Sequence, residues 1–69
     1  MEPELLDVLK EAVEGKQRKE DLIRSIGRAV RRRGLSFDLY IRIVSEVRGL
    51  ANSRKVDIET AARTLLEGK

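Results

Sequence analysis

This sequence has no cysteine, no histidine and no tryptophan, a single proline, and two aromatic side chains, Phe37 and Tyr40. Without cysteine there is no disulfide staple, and the residues are silent on redox compartment. Without histidine the chain lacks the commonest metal ligand and the usual general base. The catalytic groups that remain are carboxylates, lysines, hydroxyls and arginines. The acids near the start recur on one surface stripe and do not converge, so nothing raises a carboxyl pKa for acid–base work at neutral pH. Gly15-Lys16 and Gly34 stand alone, without the glycine-rich spacing that cradles phosphates. The expectation is a binding protein and not an enzyme, with no metal, no cofactor and no small-molecule substrate. No apolar run approaches membrane-spanning length and no signal-peptide pattern opens the chain, so the expected location is cytoplasmic, away from membranes.

Sixty-nine residues make one domain, 1–69, near the lower end of what folds alone. A chain this short buries only about 60% of its unfolded surface. Small scaffolds usually add disulfides, a metal or a partner subunit. With the first two excluded, charge networks and oligomerisation are the remaining sources of stability. Charged residues are 39% of the chain, arginine outnumbers lysine, and Gln17 and Asn52 are the only amides. That pattern is seen in thermophile proteins and equally in short soluble helices, so the composition leaves both open.

The apolar positions recur with the period of a helix. Leu5, Val8, Leu9 and Ala12 lie at i, i+3, i+4 and i+7, with Pro3 in the first turn and Gly15 as the stop. This predicts a first helix at about 3–14. Residues 15–19 read as a connection, followed by a second helix within 18–33. Its apolar face is Leu22, Ile23, Ile26, Ala29 and Val30, and Glu20 and Asp21 fall in its first turn. Gly34-Leu35-Ser36 is a turn, with Ser36 as N-cap of a third helix at about 37–51. Asn52 to Lys55 reads as a polar loop. Asp57 caps a fourth helix at about 57–67, with Val56 and Ala61 placed as a hydrophobic staple. The predicted fold is therefore all-α, a small four-helix domain.

A charge split is imposed on these helices. Residues 1–14 carry five acids against one lysine, a net of −4, while residues 16–33 carry eight bases against two acids, a net of +6. Glu20, Arg24, Arg28 and Arg32 are spaced by four, so one acid faces a column of three arginines, and the like-charge steps oppose the helix. Arg24, Arg28, Arg31 and Arg32 project from one side, and Lys16, Arg18, Lys19 and Arg33 sit near its ends. Such a stripe can track a phosphate backbone, because each contact releases condensed counterions. Four contacts predict a log–log salt slope of about −3.6, a loss of roughly a hundredfold between 50 and 200 mM salt. The competing reading packs the acids Glu4, Asp7, Glu11 and Glu14 against these arginines, each surface pair contributing about 0–1 kcal/mol. The net charge of +3 is a weak pull toward nucleic acid.

The third helix is apolar over an arc of about 200°. Phe37, Tyr40, Ile41 and Val44 lie on one side, and Leu39, Ile43, Val47 and Leu50 on the other. So wide a face must be covered twice, which places this helix at the centre of the fold or at a two-fold interface. The segment from Ala29 to Ser36 also has the glycine turn of a helix-turn-helix element. The helix that would read bases, however, exposes Asp38 and Glu46, and the positive charge lies on the helix before the turn. The sequence is thus read as a homodimer with the third helix central. Its expected function is to grip the phosphates of DNA or RNA through the second helix, the alternative being an interaction module or accessory subunit with an acidic protein partner.

Overall fold

Pro3 opens the first helix at a position where its missing N–H would have had no partner. The computed structural model describes residues 1–68 and forms four helices, α1 Pro3–Gly15, α2 Leu22–Arg32, α3 Phe37–Arg54 and α4 Ile58–Glu67, with no strand among these residues. The all-α four-helix reading holds. No helix among them is long and apolar enough to cross a membrane. Leu5, Val8, Leu9 and Ala12 of α1 all turn inward and are sealed from solvent.

The end of α1 has no basic residue in its own last turn, and α2 closes it. The buried Ser25 hydroxyl donates to the Ala12 carbonyl at 2.7 Å. Arg28 Nη2 donates to the Gly15 carbonyl at 3.1 Å. Both carbonyls belong to the last four of a helix, which have no donor within it. A guanidinium there also suits the negative end of the helix dipole.

α2 starts at Leu22, four residues later than 18–33 implied. Asp21 is its N-cap, in extended backbone, and its carboxylate accepts the Ile23 N–H at 2.9 Å. Ahead of it Gln17 and Glu20 close a turn from both sides. The Glu20 N–H donates to the Gln17 carbonyl, and the Gln17 N–H donates to Glu20 Oε1, each at 3.0 Å. Glu20 and Asp21 therefore lie before the helix and not in its first turn. An acid directly ahead of the first inward leucine was the available signal.

α2 ends on Gly34 at φ +67°, with the Gly34 N–H bonded to the Arg31 carbonyl and the Leu35 N–H to the Val30 carbonyl. These two bonds satisfy carbonyls that the helix leaves free. Ser36 precedes α3 in extended backbone, but its hydroxyl makes no capping bond. α3 runs on through Asn52, Ser53 and Arg54, which are not a loop, and stops at Lys55 in the left-handed region, φ 56°. A lysine in place of the usual glycine hid that stop. Asp57 caps α4 as expected, accepting the Thr60 N–H at 2.7 Å.

Neighbouring helices pack in chain order, α4 returns to α1, and α1 and α3 also meet across the middle. α1 shares the central place expected of α3 alone, since both touch the other three helices. Ile43 and Val47 are fully buried and Val44 and Ala51 nearly so, while Leu39, Tyr40 and Leu50 are half-buried. The remaining part of the wide apolar arc, Phe37 and Ile41, is open to solvent. The radius of gyration is 10.9 Å, against about 11 Å for a compact chain of this length.

Candidate nucleic-acid interface

α2 turns Leu22, Ser25, Ile26, Ala29 and Val30 into the core. The helical period then sends Arg24, Arg28, Arg31 and Arg32 outward, and the four line a single surface hollow of about 460 Å³. They are not equivalent. Arg24 and Arg31 are exposed and make no ion pair among the described residues. Arg32 is solvated too, with its Nη1 3.9 Å from Glu11 Oε2. Arg28 is held. Its guanidinium forks onto both oxygens of Glu20, at 2.8 Å for Nη2 to Oε1, and also caps α1 at Gly15.

That fork is the strongest electrostatic feature of the site. Arg28, with the Gln17 N–H behind it, lowers the Glu20 carboxyl to about 2, and Glu20 raises Arg28 in turn. A guanidinium bonded twice to a carboxylate has little left to offer a phosphate. Arg28 is therefore already engaged in holding the α1–α2 connection, and Glu20 pairs with it and not with Arg24 among the described residues.

The supporting bases also divide. Lys16 reaches Glu59 of α4 at 3.1 Å and its own neighbour's carbonyl, Gln17, at 3.3 Å. Arg33 Nε donates to Glu11 Oε1 at 2.6 Å. Arg18 and Lys19 are exposed on the α1–α2 connection without an ion pair among the described residues, and neither lines the hollow. Among the described residues, Glu11 alone of the acids on α1 meets an arginine, at the far end of α2. Glu4, Asp7 and Glu14 make no ion pair among the described residues, so the acidic stripe leaves Arg24 and Arg31 uncovered.

Beside the hollow lies a groove of about 430 Å³ between α2 and the start of α3. Ile23, Gly27, Val30, Leu35, Phe37 and Tyr40 line it together with the same Arg24 and Arg31. Gly27 has a reason here. A Cβ at that position would stand 3.3 Å from Tyr40 Cε1, so the glycine lets the Tyr40 ring seat on α2. Phe37 stacks on Tyr40 with centroids 5.4 Å apart and 29° between planes. Phe37 itself is 69% exposed. The sequence placed these aromatics on an interface and the arginines on another surface. Their meeting in one groove depends on how α2 and α3 cross, which no local pattern announces.

Comparison with family models, curated proteins and solved structures finds no match for this chain. The surface of α2 offers two free guanidiniums and a third loosely held one, with solvent access and no carboxylate lining the hollow. Such a set offers the charge and the N–H donors that an oxyanion requires. The Glu20 carboxyl beside it is pushed down by Arg28 and stays ionised at neutral pH.

Proposed function

We propose that this protein is nucleic-acid-associated, gripping phosphates through Arg24, Arg31 and Arg32 of α2. The observation that carries the reading is the shared hollow of arginines that the acids of α1 leave open. Arg33, Arg18 and Lys19 add local positive potential, and Arg28 holds the helix in place. With three contacts on duplex DNA the log–log salt slope is about −2.7, a loss of about fortyfold between 50 and 200 mM salt, shallower than four contacts would give. Fluorescence anisotropy of a labelled duplex at those two salt concentrations measures it. Arg24→Glu with Arg31→Glu should abolish binding while the circular dichroism spectrum stays helical. Unchanged binding in that double variant, or none by the wild type at low salt, would end the proposal.

A protein-interaction module is the second reading, favoured by the exposure of Phe37 at 69% and Ile41 at 45%, one helical turn apart on α3. A second copy of the chain covering that patch would make a homodimer and bring two arginine clusters into one particle. Sedimentation velocity of the wild type and Ile41→Glu decides it: a dimer that the variant splits supports the reading, and a monomer in both removes it.

A further inference from the structure

We infer that the groove between α2 and α3 takes a base of a single-stranded nucleic acid, stacked on Phe37, with the flanking phosphates on Arg24 and Arg31. This rests on the reading of α2 as a phosphate-binding helix and names the class of strand it would hold. The groove poses a specific demand. Its charged lining residues are both arginines, both unpaired among the described residues, and no carboxylate lines it. Its other walls are apolar and include an open aromatic ring. The ligand must therefore be anionic on the outside and flat and apolar at its centre. An unstacked base on a phosphodiester backbone has both properties, and pairing cationic grooves with aromatic platforms is how sequence-tolerant single-strand binders work.

The geometry fits in three further respects. Arg24 and Arg31 are two turns apart on α2, about 10.5 Å along the axis, far enough to meet two different phosphates of one strand. Phe37 is backed on one side by Tyr40, whose ring is seated against Gly27, so the stacking surface is held in place before any ligand arrives. A duplex keeps its bases paired and stacked inside, so it can meet the arginines but cannot fill the groove without being opened.

The chain has no tryptophan, so Phe37→Trp gives a single tryptophan, excited selectively over Tyr40, at the proposed stacking position. The probes are oligothymidylate, oligouridylate of the same length, and a DNA duplex of equal phosphate count, at low salt. The expected result is tryptophan quenching by the single strands, tighter binding of them than of the duplex, and a loss of about tenfold in Phe37→Ala for single strands only. Tighter binding of either single strand than of the duplex supports the inference. Equal binding of all three probes, indifferent to Phe37→Ala, overturns the inference and leaves the phosphate-binding reading of α2 standing. Absence of binding to every nucleic acid overturns both. Quenching by poly-L-glutamate, added as a fourth probe, without quenching by either oligonucleotide overturns the inference and assigns the groove to an acidic protein. Because Phe37 is largely solvated, neither substitution removes a core contact.

Discussion

Glu20 shows how one side chain can organise a connection, a helix end and a neighbouring cation. It closes the turn with Gln17 and fixes Arg28, which in turn caps α1. Its carboxyl pKa of about 2 lies well below the ordinary value of 4.5. A depressed folded-state pKa means that stabilisation is fully present above the ordinary value and is lost as pH falls through the folded one. Thermal melts should therefore show the wild type losing stability between about pH 4.5 and 2, with a shallower loss in Glu20→Gln across that window. Near pH 7 the variant should melt at lower temperature than the wild type. Parallel pH profiles for the two proteins would show that Glu20 is not the residue that matters. Asp57, lowered by the Thr60 hydroxyl and then by its backbone N–H, adds acid sensitivity of the same sign in both proteins.

Among the elements, α2 carries the site, and its beginning sets the phase of everything on it. Asp21 holds that start through one bond to the Ile23 N–H. Asp21→Ala should cost about 1 kcal/mol, a fall of about 4–8 °C in Tm for a domain of this size. Asp21→Asn should melt close to the wild type, since asparagine caps as well as aspartate; a calorimetric scan of the three proteins checks both statements. The inward faces of all four helices were legible because periodicity is a local property, and so were Pro3, Gly34 and the Asp57 cap. The start of α2 was misread because Glu20 and Asp21 suit a first turn as well as a cap. The three residues added to α3 carried no apolar mark, and Lys55 does not look like a helix stop.

At the scale of the molecule, four helices close a core of Leu5, Val8, Leu9, Ile26, Ile43 and Val47. A chain of this size has about 3–10 kcal/mol of stability in all. Leu9→Ala, which empties a fully buried position, should remove about 2–5 kcal/mol of it. Circular dichroism melts at two protein concentrations test this together with the self-sufficiency of the core. The expectation is a fall of more than 10 °C in the variant, with wild-type Tm independent of concentration. A wild-type Tm that rises with concentration would show that a second copy contributes.

Residue spacing by itself determined four amphipathic helices, their inward faces, a basic second helix beside an acidic first, and an unusually wide apolar face on the third. All of these are set by neighbours within one or two turns. The tertiary structure decided which charges stay free. Arg28 is taken by Glu20 and the end of α1, Arg33 by Glu11, and Lys16 by Glu59. It also decided that Gly27 receives the Tyr40 ring and that Phe37 opens beside Arg24 and Arg31. Most of those partners lie far apart along the chain, so the packing of helices, and not the pattern within any one of them, brings them into reach.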